Sequence, residues 1–298
     1  MYRIGTDCSG IEAPIAALRQ LQIPYQHMWS SDIDKYVIQS IKANYEPEIL
    51  FGDPDGPYPD GDITKRDDSI LPDIDLYVAG FPCQPFSNAG QRKGFNDKRG
   101  NVFWSCLDVI KTKRPKYFIL ENVKALISHQ KGHTWRVIWS SLQIEGYTTK
   151  WKVLNTKDYG IPQNRQRVFI VGKRDGDFHW PEHTEMDDLK GYVDHSNTIR
   201  QEWKRKTKVD LEHSPVFIDV DFLHYTNYPN ANTVCPCVLA RPSSLWCVTY
   251  NRYCTCKELL SLQGFTQFKQ VVSNSQLKKQ IGNSMSVNVI TAILNELL

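Results

Sequence analysis

The residues best suited to covalent chemistry lie in the run Gly80-Phe81-Pro82-Cys83-Gln84-Pro85-Phe86-Ser87. A cysteine that serves only to pack would sit in an apolar run. Cys83 stands instead between two prolines, with Gly, Gln and Ser nearby, in a loop that would expose a thiolate to a reactant. Further along, the apolar run Tyr117-Phe118-Ile119-Leu120 delivers Glu121-Asn122-Val123, a carboxylate expected at a neighbouring strand end. A thiol nucleophile with an acid partner suits attack on an electron-poor ring.

A second group of residues suits a nucleoside. Tyr2 to Thr6 reads as a strand running into the turn Asp7-Cys8-Ser9-Gly10, where a glycine lets a ligand approach the backbone. The next strand, around His27 to Ser30, runs into Asp32-Ile33-Asp34, where a carboxylate can accept hydrogen bonds from ribose hydroxyls. Asp62, in Gly61-Asp62-Ile63, is placed to meet a base edge. Singly these are weak signals, because Gly and Asp are common in any turn. The first turn also lacks the glycine spacing of a dinucleotide site.

The elements that must carry these residues alternate. Helices are expected over Ile11 to Leu21, Lys35 to Asn44, Val102 to Lys111 and Thr134 to Glu145, and strands over Asp75 to Ala79, Tyr117 to Leu120, Thr149 to Leu154 and Val168 to Gly172. Residues 52 to 62, rich in Gly, Pro and Asp, read as a loop. Such alternation predicts an α/β fold with an open, mostly parallel, Rossmann-like sheet, whose ligands sit beyond the carboxyl ends of the strands. After Lys173 the pattern degrades into a stretch rich in His, Asp, Asn, Trp and Tyr, with Arg200 and Lys204-Arg205-Lys206 in it. Regular structure resumes over Lys257 to Leu262 and Val287 to Leu298. Three parts are expected: 1–174 as the catalytic and cofactor-binding domain, 175–250 as a small separate module, and 251–298 as a segment returning to the first.

Bulk properties set bounds. The 298 residues, 41% hydrophobic and 23% charged, have the make-up of a folded globular chain. No apolar run approaches the roughly 20 residues needed to span a bilayer, and no secretory leader is visible, so an intracellular protein is expected. A net charge of +3 permits a polyanionic partner without demanding one. Cys235, Cys237, Cys247, Cys254 and Cys256 fall within 22 residues. Their Cys-x-Cys spacing is tighter than structural zinc usually takes, so they read as small apolar thiols and no metal is expected.

Taken in order, Gly80 to Ser87, Glu121-Asn122-Val123, Gln163-Asn164-Arg165-Gln166-Arg167 and Gln280-Ile281-Gly282-Asn283-Ser284 resemble the DNA cytosine-5 methyltransferase family. The stretches Ser128 to Thr134 and Asp158 to Gln163 are similar to the compact bacterial restriction-modification members. The resemblance implies a class I S-adenosylmethionine-dependent methyltransferase fold with a small target-recognition domain, here 175–250, acting on double-stranded DNA. It implies that Cys83 adds to carbon 6 of a cytosine turned out of the helix, that Glu121 holds the N3 edge, that Arg167 supports the ring from its O2 side, and that Arg165 braces the pocket. It places S-adenosyl-L-methionine against Cys8, Gly10, Ile11, Asp32, Ile33, Asp62, Ile63, Gly80, Pro82, Val102, Asn283 and Ser284. It places DNA against Ser87, Lys93, Arg252 and Thr255. A glutamate that donates a hydrogen bond at neutral pH needs partial burial to stay protonated.

Alone, Arg165 and Arg167 read as solvated charges, Glu121 as an ordinary rim carboxylate and Asn283 as a helix cap. In family order the functional reading prevails. The chain departs from the family at three positions: Cys8 stands where an aromatic residue is usual, Glu12 where a second glycine is usual, and Asp32 where a glutamate is usual. Two rivals differ at identifiable residues. A tRNA cytosine-5 methyltransferase would carry Cys-Phe-Thr, which is missing here, and a non-catalytic DNA-binding relative would lack the nucleophile or the glutamate. A monomer is expected, with any companion restriction endonuclease acting separately.

Overall fold

The computed structural model describes residues 1–82, 102–201, 216–220, 233–241 and 245–298. Ten strands and seven α-helices are assigned among them: β1 (Tyr2–Asp7), α1 (Ala13–Gln20), β2 (Tyr25–Ser31), α2 (Lys35–Asn44), β3 (Ile49–Phe51), β4 (Leu76–Ala79), α3 (Val102–Lys113), β5 (Tyr117–Val123), α4 (His133–Ser141), β6 (Tyr147–Asn155), β7 (Gln166–Arg174), β8 (Phe217–Asp219), β9 (Leu245–Cys247), β10 (Arg252–Tyr253), α5 (Cys256–Leu262), α6 (Asn274–Asn283) and α7 (Val287–Leu297).

The alternation expected from the sequence produces a seven-stranded sheet in the order β3-β2-β1-β4-β5-β7-β6. The pairs β1–β2, β2–β3, β1–β4 and β4–β5 are parallel, and β5–β7 is antiparallel. In the four inner positions of β4 every side chain is buried, as a strand covered on both faces requires. The core around it includes Trp29, Tyr77, Phe103, Leu107, Phe118, Leu120, Ile138 and Ile170. Each such side chain is worth roughly 1.5–3 kcal/mol when removed from water.

Local signals explain the element ends. Asp34 caps α2 by accepting from the Tyr36 amide, a contact worth about 1 kcal/mol. Helix α1 begins at Ala13, two residues later than its apolar spacing suggests, because Glu12 holds a left-handed φ of 58° and ends the turn there. Strand β5 continues through Val123, so Glu121 lies within the ladder, opposite Phe169, and not beyond its end.

The chain forms two compact units: 1–154, 166–181 and 290–298 make one, and 155–165 with 182–289 make the other. These limits differ from the expected 174/175 and 250/251 boundaries, because 155–165 and 251–289 group with 182–250. The reason is polar satisfaction. Gln163 is fully buried, donates to the Leu262 carbonyl at 2.7 Å and accepts from the Val238 amide at 2.9 Å. The second unit contains a small antiparallel sheet, β10-β9-β8, with Ile218, Val220 and Trp246 at its core.

Candidate active site

At the end of β1, Asp7 is fully buried and fully engaged. Arg66 grips its two oxygens at 2.7 and 2.8 Å, Tyr77 donates from its hydroxyl at 2.8 Å, and the Trp29 indole donates at 3.3 Å. A buried carboxylate with this many donors is a fixed brace. The turn that follows carries left-handed backbone at Cys8, Gly10 and Glu12, with φ of 50°, 54° and 58°. Two of these are not glycine, and such positions cost of order 1 kcal/mol each unless their surroundings hold them. A side chain at Gly10 would meet nothing within 4 Å, so this backbone faces open space. The Cys8 thiol is pushed well above its ordinary pKa by burial, reinforced by Cys106, Asp32 and Asp7, so it stays protonated. Ile11, the next residue, is buried and packs inward.

Asp32 follows β2 and meets the same turn. Its carboxylate accepts the Gly10 amide at 3.1 Å and the Asp34 amide at 2.9 Å. Burial raises its pKa to about 6, with those two amides pulling the other way. Ile33 beside it is 77% exposed, an unusual state for a large apolar side chain at a strand end. The chain near Asp62 closes on this point. Gly61 lies so near the Asp32 carbonyl that a Cβ there would come within 1.9 Å of it. Asp62 caps the turn Ile63–Lys65 by accepting from the Thr64 amide and hydroxyl at 3.1 and 2.7 Å, and pairs with Lys65 at 3.2 Å. Burial raises its pKa, but those Thr64 and Lys65 contacts outweigh it and hold the carboxyl below the ordinary range. Ile63 is buried.

The structure thus brings Gly10, Asp32, Ile33 and the 61–63 segment to one rim of the sheet. An open glycine backbone, a half-buried carboxylate that has so far accepted only amides, and an exposed aliphatic surface fit a nucleoside: hydroxyl donors for the acid and an apolar face for a base.

Beyond β4, Gly80 and Pro82 are partly exposed, and the Phe81 carbonyl accepts from the buried Asn122 amide group at 3.1 Å. Cys83, Ser87 and Lys93 lie outside the described residues. Val102, half-buried, opens α3. On β5, Glu121 is 8% exposed, and Arg167 approaches it from β7 with Nε 3.2 Å from Oε1. The register pairs Val123 with Arg167 and Glu121 with Phe169, so the ion pair runs diagonally across the ladder.

In the second unit, Arg165 is buried and donates to the carbonyls of Val238 at 2.8 Å, Gly282 at 3.1 Å and Ser284 at 2.6 Å. Asn283 is exposed as the last residue of α6, and so does not cap a helix start; Ser284 is buried and donates to the Met285 carbonyl at 3.0 Å. Gly282 is required by close approach, since a Cβ would lie 2.2 Å from the Leu239–Ala240 backbone.

Of two residues expected at DNA, Arg252 is buried and Thr255 is partly exposed. Arg252 is 2% exposed and grips Glu258 through both terminal nitrogens, at 2.8 and 2.9 Å, while Nε donates to the Asn197 carbonyl at 3.0 Å. In this structure its donors are used within the unit, as a brace on Glu258. Thr255 forms a reciprocal capping box with the same Glu258 at the start of α5. Its hydroxyl oxygen accepts the Glu258 amide in that cap.

Among the described residues Cys8, Cys106, Cys235, Cys237, Cys247, Cys254 and Cys256 are free thiols, and no group of three or more potential ligands is arranged to hold a metal. No described helix is long and apolar enough to cross a membrane.

The family model for C-5 cytosine-specific DNA methylase matches residues 7–298. The chain belongs to this family. This cytosine methylase is 38% identical over 279 residues to the type II methyltransferase M.NgoBI of Neisseria gonorrhoeae, covering 89% of this chain and 84% of that one. It is 35% identical over 288 residues to M.SsoII of Shigella sonnei, covering 91% and 73%. Its fold matches the crystal structure of the S. pombe Dnmt2 methyltransferase with a TM-score of 0.65 at 19% identity, over 100% of this chain and 98% of that one. The class I S-adenosylmethionine-dependent fold and the transfer of a methyl group to carbon 5 of cytosine in DNA follow from membership.

Reading the methylase from its sequence located the rim segments but missed three supports. Arg66 carries no motif, and only its partner Asp7 reveals its purpose. The motif that holds Asn122 does not reveal that its side chain ties down the Phe81 carbonyl. Glu12 departs from the family pattern, and sequence alone assigns it no role.

Proposed function

We propose that this enzyme is a sequence-specific modification methyltransferase of restriction-modification type, with Cys83 as nucleophile and Glu121 and Arg167 as the polar wall of the cytosine pocket. The diagonal Glu121–Arg167 pair carries the reading, because it sets a donor and a carboxylate side by side at one strand-end rim. Asn122, next along β5, anchors the Phe81 carbonyl two residues before Cys83.

The reaction divides as follows. The Cys83 thiolate adds to carbon 6, making carbon 5 nucleophilic, while Glu121 supplies a proton to N3 so that charge can spread over the ring. Arg167 stays cationic beside the ring and offsets the developing charge. When bound, S-adenosylmethionine supplies an electrophilic methyl group for carbon 5. Loss of the carbon 5 proton to solvent then expels the thiolate while N3 returns its proton to Glu121, restoring the aromatic ring and the free enzyme. Asp32 would hold the ribose hydroxyls, Ile33 the face of the adenine, Asp62 and Ile63 its edge, and the Gly10 backbone would face the amino-acid moiety. Cys8, Ile11, Gly80, Pro82 and Val102 would shape the same pocket. Arg165 would act by holding Ser284 through its carbonyl.

The substrate is double-stranded DNA, with the cytosine extruded at a cost of a few kcal/mol that phosphate and base-edge contacts offset. Ser87 and Lys93 would contact DNA, and 175–250 would contain the sequence-reading surface. The enzyme works inside the cell as a monomer, and any companion endonuclease acts without a stable complex. The names of the type II relatives support the restriction-modification assignment.

Bisulfite sequencing of DNA from cells expressing the chain should show 5-methylcytosine in one short context. Duplexes carrying 5-fluorocytosine in that context should trap a covalent complex with the native enzyme and none with Cys83→Ser. Trapping by the serine variant would overturn the assignment of the nucleophile, and methylation scattered without context would overturn sequence specificity.

A further inference from the structure

The glycine turn after β1 is built on a buried carboxylate in the position where its family usually has glycine. Glu12 is 0% exposed, and its Oε1 accepts from Thr6 Oγ1 and from Ser30 Oγ, each at 2.6 Å. Thr6 and Ser30 are direct register partners on β1 and β2. One oxygen atom therefore clasps the two strands at the level where both run into the rim. The network continues upward: Thr6 Oγ1 lies 2.8 Å from Ser9 Oγ, which accepts the Ser31 amide at 2.9 Å. The backbone of Glu12 closes the same turn, its amide donating to the Ser9 carbonyl at 3.0 Å.

The carboxylate takes the two hydroxyl protons nearest to it. The Thr6 hydroxyl proton goes to Glu12, and the Ser9 hydroxyl lies within reach of Thr6 Oγ1, of the Thr6 carbonyl at 3.1 Å and of the Ser31 carbonyl at 3.2 Å. The Ser30 proton goes to Glu12 as well, so His27 Nε2, 3.0 Å from Ser30 Oγ, must carry the hydrogen there. Glu12 thus joins the paired strand hydroxyls to the turn that carries Ser9 and Gly10.

We propose that Glu12 is a positioning residue for the cofactor: through Thr6, Ser9 and Ser30 it holds the strained Cys8–Glu12 turn so that the Gly10 backbone and Asp32 meet the nucleoside in a fixed geometry. This rests on the assignment of the Gly10–Asp32 rim as the S-adenosylmethionine site. Glycine at residue 12 would relax the left-handed backbone yet remove the clasp, so strain and positioning can be separated.

The test is calorimetric titration of the full chain with S-adenosylhomocysteine, which binds without turnover, alongside steady-state methyl transfer. Glu12→Gly should weaken binding about tenfold or more, with kcat at saturating cofactor within about threefold of native. Glu12→Gln, which keeps an acceptor and the side-chain shape, should restore most of the affinity. Ser30→Ala, a milder change, should weaken binding severalfold and serves if Glu12→Gly does not fold. Native affinity in both Glu12→Gly and Ser30→Ala, or an affinity loss that Glu12→Gln does not recover, would overturn the proposal. Asp32→Ala is the control for the site itself: if it too binds normally, the location of the cofactor is wrong, whereas weak binding by Asp32→Ala with normal binding by Glu12→Gly condemns only the role of Glu12.

Discussion

Arg167 Nε stands 3.2 Å from Glu121 Oε1, reaching it across the β5–β7 ladder from the residue opposite Val123. Both side chains are largely buried, so removing the cation leaves a carboxylate with less compensation in a poorly solvated place. Arg167→Ala should lower kcat by roughly 10²–10³-fold, the usual scale for losing one charge-stabilising donor. Affinity for S-adenosylhomocysteine should change little, because the cofactor rim is built from other strands. Single-turnover methyl transfer at saturating DNA, paired with the binding measurement, checks both statements.

The raised pKa of Asp32, about 6, gives a pH signature. Ribose hydroxyls donate to the ionised form, so cofactor affinity should be high above pH 6 and fall up to tenfold per unit as the pH drops below it. Asp32→Asn should bind more weakly at pH 7.5 and lose this dependence. Stability carries the opposite sign. A carboxyl whose pKa is raised on folding is ionised at a cost, so the folded chain loses stability as pH rises from about 4 to 6. Asp32→Asn should therefore raise the melting temperature at pH 7 and leave it nearly unchanged at pH 4. An equal gain at both pH values would contradict this account.

Gly282 has no room for a methyl group, since a Cβ would lie 2.2 Å from the backbone of Leu239 and Ala240. Backbone cannot swing aside as a side chain can, so Gly282→Ala should cost at least about 2 kcal/mol. It should also disturb the carbonyl that Arg165 binds. Denaturant unfolding measures the loss, and an unchanged midpoint would refute the close packing.

Arg252 separates a brace from a phosphate contact. Removing it strands Glu258, which is fully buried, so Arg252→Ala should cost roughly 3–5 kcal/mol of stability. A residue on a phosphate would instead reduce the slope of log affinity against log salt by about 1. The expected slope is unchanged, as measured by DNA binding across a salt series at a temperature where the variant remains folded.

Much of this arrangement was legible in the chain. Apolar runs such as Leu76-Tyr77-Val78-Ala79 declare buried parallel strands, and acidic residues after β2 and before Ile63 mark the rim because few other types suit hydroxyl donors. Short elements were less visible. Strand β3 is three residues long, and β8 to β10 draw on a stretch with no clear alternation, so tertiary pairing decides them. Helix α6 was missed because Gln276, Lys278, Lys279 and Gln280 dilute its apolar stripe, leaving the Ser273 cap as its main local signal. The pairing of Arg252 is hidden for a different reason: sequence shows a charge but not its partner, and Glu258 becomes its neighbour only when α5 forms.

The reversal of β7 has a consequence for how such a rim can be assembled. In an all-parallel sheet each strand contributes side chains to the ligand edge only where it leaves, and the entering residues face the opposite edge. By running against β5, β7 brings its opening residues to that edge, so Arg167 arrives as its strand begins and Glu121 as its own strand nears its end. Two chain directions then feed one wall.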